Sequence, residues 1–389
     1  NLTLHLIILT LIINLLINDL KITFMKPTLF FLSIFIFFSC STQREYRLLV
    51  GTYTTNTESK GIYTLNVNPS KNVYNVIDIQ TGVVNPSFQS IRKYEKSGQS
   101  LVYSVGEGSG AGSVHAFSFD AVNGKLTPLN SLPANGRGSC SVTASARHAF
   151  IANYSSGNIN AFSLKADGSL DKLVQSVQHH GGSINPDRQK GPHAHQVIFD
   201  LTGNYLFSNN LGTDLLYAYR YNAVNSEPLV LVDSLMMEQG GGPRHLAVSP
   251  DGTTLYVLQE LTGTISIVSF KDEQLTSVGS ATVITKPGKP GAADIHLSPD
   301  GKFLYATNRI DYNDITVFNV KSSSELEFVA QYSTGGDAPR NFMITRDGKY
   351  LFAGNQRTHQ IVVFKRDKRK GTLTDIGFKI PVPAPVCHL

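Results

Sequence analysis

The chain has 389 residues, 41% of them hydrophobic and 16% charged, with 33 Gly, 17 Pro, 3 Cys and a formal net charge of +5. This profile excludes a disordered chain and a long charged coiled coil, and it suits a turn-rich, all-β protein. The charge is mild and no basic run is interleaved with aromatics, so nucleic acid is not an expected partner.

The first 39 residues are almost wholly Leu, Ile and Phe, with only Asp19, Lys21 and Lys26 charged. From Met25 the order is basic at Lys26, apolar from Leu29 to Phe38, then small at Ser39-Cys40-Ser41, which is the order of a secretion signal. The Phe-Phe-Ser-Cys run loosely resembles a bacterial lipobox, with Phe37 where Leu is usual. We therefore expect residues 1–39 to be a leader and lipoprotein-type signal peptide, with residues 1–24 upstream of a start at Met25. Cys40 is then the lipidated first residue, and residues 40–46 are a short linker. The competing reading, a membrane-spanning helix, is weakened because the uncharged run after Lys26 is short for a hydrocarbon core of ~30 Å. The expected protein is exported to the cell envelope or periplasm, a monomer, and touches membrane only through a lipid anchor. Losing two Lys and one Asp with the leader lowers the net charge from +5 to +4.

Beyond Cys40 an internal repeat dominates. Glycines 203, 252, 301 and 348 sit in Asp200-Leu-Thr-Gly, Pro250-Asp-Gly, Pro299-Asp-Gly and Arg346-Asp-Gly segments, each leading into a short apolar run, at spacings of 49, 49 and 47. Weaker copies occur at Lys96-Ser-Gly and Ser145-Ala-Arg. Each unit reads as alternating strands joined by an Asp-Gly turn, with positive φ angles expected at the turn. Four-stranded antiparallel units repeated at just under fifty residues describe the blades of a β-propeller. Seven are expected over residues 47–389, starting near Arg47, Pro86, Gly138, Pro192, Pro243, Ala292 and Pro339. Phe303, Tyr305 and Phe318 read as packing between blades, Lys365 to Lys370 as a solvated turn, and Gly240-Gly-Gly242 as a flexible turn between blades. How the ring closes is left open, as is a bridge between Cys140 and Cys387, which lack metal-ligand spacing.

The repeat also separates architecture from chemistry. Seven places after the repeat glycines stand Asn210, Gln259, Asn308 and Asn355, with Asn153 equivalent in the third unit; such recurrence marks ligands for backbone groups at strand ends. One residue further on the units diverge into Glu107, Tyr154, Leu211, Glu260, Arg309 and Gln356. Eight places before the glycines stand His195, Arg244, Ala293 and Arg340. If inner strands begin where second strands end, both sets ring one funnel, cationic and holding a carboxylate and an imidazole. Arginine offers paired donors to a carboxylate or phosphate. Cleaving a cyclic ester needs a base to activate water and donors to hold the oxyanion, roles open to histidine near its reference pKa of ~6.5 or to Glu260. His193 and His195 can also bind metal, but no third ligand is evident nearby. No Gly-x-Ser-x-Gly elbow, phosphate loop or dinucleotide fingerprint is present, so neither a serine nucleophile nor a cofactor is expected.

His180-Gly-Gly-Ser183, Arg188-Gln189, Gly191-Pro-His-Ala-His-Gln196, Gly242-Pro-Arg-His245, Ala293-Asp-Ile-His296, Ala306-Thr-Asn-Arg309 and Ala338-Pro-Arg-Asn-Phe342 occur in that order. With Gly51-Thr-Tyr-Thr54 and Pro385-Val-Cys387, they resemble the 6-phosphogluconolactonase-like seven-bladed lactonases from about Arg47 to the C-terminus. The resemblance implies hydrolysis of a small anionic sugar lactone, without cofactor or metal. It places the catalytic roles on His195, Arg244 and Glu260, and substrate binding on His193, Arg309, Arg340 and Gln356. Two segments depart from the family pattern: Asn209-Asn210-Leu-Gly212, where an acidic residue is common, and Ser139-Cys-Ser141, where Pro-Cys-His is usual. Export also sits poorly with a cytoplasmic phosphorylated substrate. Two other readings stay open: a non-catalytic ligand- or protein-binding propeller, and a metal-dependent lactonase.

Overall fold

The computed structural model describes residues 44–93, 100–108 and 110–389. The leader, the signal peptide, the Cys40 lipidation site and the weaker repeat copy around Lys96 lie outside the described residues. Among the described residues every regular element is a strand, and the strands form seven antiparallel sheets of four, the blades of a propeller. The sequence expectation of an all-β, seven-bladed architecture is met. The first strands of blades three to seven are Ser139–Ala144, Ala194–Phe199, Pro243–Val248, Ala292–Leu297 and Pro339–Ile344. They begin within two residues of the expected positions, and neighbouring ones pack against each other around the axis.

Period-two patterning explains the radial order. Second strands such as Thr254–Gln259 and Phe303–Asn308 are buried at every position. The outermost strands, such as Leu229–Met236, bury one face at most and alternate toward solvent. Each hydrophobic cluster joins two adjacent blades. Phe303 and Tyr305 of blade six pack with Phe342 and Leu351 of blade seven, and Phe318 packs with Tyr256 and Leu258 of blade five. Arg366, expected in a solvated turn, is instead buried. Its guanidinium lies over the rings of Phe303 and Tyr305 and donates to the Tyr305 hydroxyl and to Gly348 O, so its charge is spent on packing blade six to blade seven.

The turns differ from expectation in one respect. Gly252, Gly301 and Gly348 take φ of 75°, 70° and 69°, whereas the aspartates before them do not enter the left-handed region. Only glycine makes that conformation inexpensive. The aspartate caps instead, Asp300 accepting from Ser298 Oγ at 2.6 Å and Asp347 from Thr345 Oγ1 at 2.7 Å.

The ring closes through the C-terminus. Pro385–His388 forms the innermost strand of the first blade, pairing Val50 with His388 and Gly51 with Cys387, so that Tyr46–Thr52 is the second strand of that blade. Leu48 and Val50 then share a core with Phe352 and Val363 of blade seven. A blade built from both chain ends leaves no open edge at the seam. Cys140 and Cys387 are buried free thiols, not a bridge.

Candidate active site

Strand register brings the divergent residues to one end of the wheel. Ser139 pairs with Asn153, Ala194 with Asn210, Pro243 with Gln259, Ala292 with Asn308 and Pro339 with Asn355. Inner strands therefore begin where second strands end. The next residue of each inner strand falls on a register shift: Cys140, His195, Arg244, Ala293 and Arg340. A β-bulge re-aims a side chain that simple alternation would place elsewhere, and here it recurs at each site-bearing position. The recurring amides are architectural. Asn210 Oδ1 accepts from the backbone N of His193 (2.8 Å) and Gly212 (3.1 Å), Asn308 Oδ1 accepts from Gly291 N (2.8 Å), and Asn355 Nδ2 donates to Thr334 O (2.9 Å).

At the centre is Glu260. Its Oε1 accepts from Arg188 Nη2 at 2.7 Å, its Oε2 from Arg244 Nε at 2.9 Å, and Arg309 Nη2 lies 3.3 Å from Oε2. Exposure falls inward, from 39% for the Arg188 side chain through 15% for Arg309 to 1% for Arg244. Burial alone would raise the Glu260 pKa, but Arg309, Arg244 and Arg188 overcome it and hold the carboxyl down at about 2. Arg340 forms no ion pair or hydrogen bond within the described residues. Its guanidinium lies 5.3 Å from the Tyr53 ring centre, and the Tyr53 hydroxyl donates to Glu107 Oε2 at 3.1 Å. Four guanidiniums thus face two carboxylates, leaving this end of the ring with an excess of positive charge.

The histidines meet at Tyr154. His193 stacks on that ring at 4.3 Å and its Nδ1 donates to Tyr154 O at 2.9 Å, while His195 meets the same ring edge-on at 5.6 Å. His195 is buried and its Nδ1 has no partner. Burial first, then Arg244, His245 and Arg340, drive its pKa well below the usual 6.5, so its imidazole is neutral at physiological pH. Cys140 is no rival nucleophile, because burial pushes its thiol up to about 12.

The structure therefore gathers His193, His195, Arg244, Glu260, Arg309 and Arg340 at one mouth. Gln356 lines a cavity of about 410 Å³ with Asn85, His359 and Tyr53, the ring over which the Arg340 guanidinium lies. Sequence reasoning gave no role to Arg188 or Tyr53. The first sits in a loop between blades rather than in the repeat, and the second belongs to a blade whose inner strand arrives from the other end of the chain. A further cluster, buried Asp294 and His245 with a half-exposed His296, was visible only as motif letters. The Gly240-Gly-Gly242 turn is also not a loose link, since Asp214 accepts from Gly240 N at 2.7 Å and Gly242 N at 2.8 Å. No cluster of three or more His, Cys, Asp or Glu able to hold a metal occurs among the described residues.

The sequence profile of the family described as "Lactonase, 7-bladed beta-propeller" matches residues 47–389. A 6-phosphogluconolactonase of Bacillus subtilis is 32% identical over 88% of this chain and 97% of its own. One from Formosa agariphila is 30% identical over 86% and 96%. Among solved structures, a periplasmic gluconolactonase of Pseudomonas aeruginosa superposes with a TM-score of 0.82 at 29% identity, covering 89% of this chain and 99% of that one. Ring architecture, register and these likenesses agree, and the chain belongs to the lactonase family of seven-bladed β-propellers.

Proposed function

We propose that this protein opens an anionic sugar lactone to its free acid, with His195 as general base. The observation that carries the reading is the unpaired guanidinium of Arg340 beside a carboxylate already saturated by three other arginines. Arg340 is the cation left to take a phosphate or carboxylate on the substrate. Glu260, held near 2, is too weak a base for neutral pH and serves to orient Arg188, Arg244 and Arg309. His195 is neutral, and its buried Nδ1 has no hydrogen-bond partner. It takes a proton from water as hydroxide attacks the lactone carbonyl, Arg244 and Arg309 hold the oxyanion, and the ring C–O bond breaks. The proton returns to the departing alkoxide, giving the hydroxy acid. An incoming anion also offsets Arg244 and Arg340, two of the groups that depress His195, so basicity rises once substrate is bound. His193 and Gln356 bind the sugar.

The likeness to a periplasmic gluconolactonase and the leader pattern support export, and the reading takes the exported protein as a monomer anchored by lipid at Cys40, with residues 40–46 as linker and 47–389 as the catalytic domain. The purified mature domain, incubated under chelator with 6-phosphogluconolactone, gluconolactone and other aldonolactones, is expected to accelerate opening. His195→Ala is expected to abolish that acceleration. Equal rates for wild type and variant defeat the reading, and saturable binding without turnover supports a non-catalytic propeller instead.

A further inference from the structure

Beneath the arginine layer, buried Asp294 of blade six is an acceptor for four donors. His245 Nδ1 reaches its Oδ1 at 2.7 Å, and its Oδ2 receives His296 Nε2 at 2.8 Å, Asn341 Nδ2 at 2.6 Å and the backbone N of Phe342 at 3.2 Å. Asn341 Oδ1 in turn accepts from the backbone N (2.7 Å) and Nδ1 (2.8 Å) of His388 in the closing strand. Every direction in this chain of bonds is fixed, because an ionised carboxylate only accepts and a guanidinium only donates. The opposite nitrogen of His245, Nε2, faces Arg244 Nη1 at 3.3 Å, so it must be the bare one. Arg244 is thereby held at three points: Nε on Glu260, Nη1 on His245, and Nη1 again on Ala293 O. Its Nη2 has no protein partner among the described residues.

We propose that Asp294 and His245 are a positioning pair for Arg244. The carboxylate locks His245 in the Nδ1–H tautomer, and the Nε2 lone pair so exposed turns the guanidinium to present its free Nη2 to the lactone. This rests on the reaction proposed above. Burial and then Arg244 push His245 down to about 4, which keeps the ring neutral and its single proton on the Asp294 side. Burial opposes ionisation of Asp294, but its imidazole partners hold the carboxyl well below the usual carboxylate range. The pair draws on blades five, six and seven and on the C-terminal strand, so the last residues of the chain help set the pose of a side chain on blade five. A guanidinium misplaced by an ångström loses catalysis on the order of 10²-fold.

Nitrogen-15 histidine spectra of the full mature protein, with His245 identified by its loss in His245→Gln, are expected to show Nδ1 protonated and Nε2 bare. Asp294→Asn presents an amide donor to one imidazole and disturbs this order. Its kcat/KM is expected to fall on the order of 10²-fold, chiefly in kcat, while the melting transition stays cooperative. In an Arg244→Lys background the same change is expected to cost less than about threefold, as coupled residues require. A protonated Nε2 in the wild type, or equal losses in both backgrounds, overturns the proposal. Should Asp294→Asn not fold, His245→Gln, which keeps a donor and an acceptor, is compared with His245→Leu. Retention by Gln within about fivefold, with a Leu loss on the order of 10²-fold, supports the pair, and equal losses overturn it. If wild type opens no lactone at all, the reaction reading fails separately, while the tautomer spectrum and 6-phosphogluconate affinity across the same variants still decide the positioning role.

Discussion

Arg188 Nη2 and Glu260 Oε1 meet at 2.7 Å, tying the loop between blades three and four to the end of a strand in blade five. The loop is braced from below, where Gln189 Nε2 donates to Asp214 Oδ1 at 2.6 Å and to Leu211 O at 2.8 Å. Arg188 is thus the outermost of the cations on Glu260, and its position depends on a segment without strand pairing.

Replacing Arg188 by Ala should spare the fold, since an ion pair with one partner 39% exposed contributes about 1 kcal/mol or less. It should weaken the mouth. We expect kcat/KM to fall roughly tenfold, an effect of ~1.4 kcal/mol, expressed mainly as a higher KM. Initial-rate kinetics decide this, and an unchanged KM would place the loop outside the substrate's reach.

The depressed basicity of His195 sets a pH signature. Below its pKa the imidazole gains a proton and can no longer act as base, and in the free enzyme that point lies well under 6.5. Because Arg244 and Arg340 contribute to the depression, an anion bound between them raises it. The acid limb of kcat/KM, which reports free enzyme, should therefore lie at lower pH than the limb of kcat, which reports the complex. A carboxylate-bearing aldarolactone suits the measurement, because its anion keeps its charge above about pH 4.5. Limbs in the opposite order would remove His195 from the role of base.

Blade number, blade boundaries and the shared height of His195, Arg244, Glu260, Arg309 and Arg340 were legible because a repeat fixes register, and register fixes height in a sheet. The bulge at each of these inner-strand positions left no sequence mark, since it arises from two residues opposing one across a ladder. Closure was illegible for a related reason: Pro385–His388 is too short and too unlike the other inner strands to announce its partner. Arg188 and the Asp294 cluster escaped because their meaning lies in contacts between elements far apart in the chain, His245 with Asp294 and Arg188 with Glu260, which no periodicity encodes.

Arg340 should govern which lactones are accepted. Its guanidinium lies over the Tyr53 ring and feels Glu107 and Glu260 only through space, while Glu260 keeps Arg188, Arg244 and Arg309 as direct partners, so removing it leaves that carboxylate paired. For a phosphorylated lactone, Arg340→Ala should lower kcat/KM about 100-fold, the loss of one charge-assisted, paired contact worth ~2–3 kcal/mol. For neutral gluconolactone the loss should be only severalfold. Parallel assays on the two substrates test this directly, and equal losses on both would show that Arg340 does not read the anion.

Away from the funnel, Asp314 begins the third strand of blade six with its side chain 5% exposed and its Oδ1 unpartnered. Burial raises its pKa to about 7, against weaker opposing effects of Lys286 and Gln331. In the unfolded chain the group titrates near its ordinary value of 3.8. Between these points the folded protein holds a proton that the unfolded chain has released, so stability declines as pH rises from about 4 to about 7 and the cost is complete above that. Asp314→Asn removes the titration. Its gain over wild type should grow with pH, reaching on the order of 2 kcal/mol at pH 8 and nearly vanishing at pH 4. Thermal melts of both proteins across this range provide the check, and a difference that is flat with pH would mean that Asp314 ionises in the fold as readily as in water.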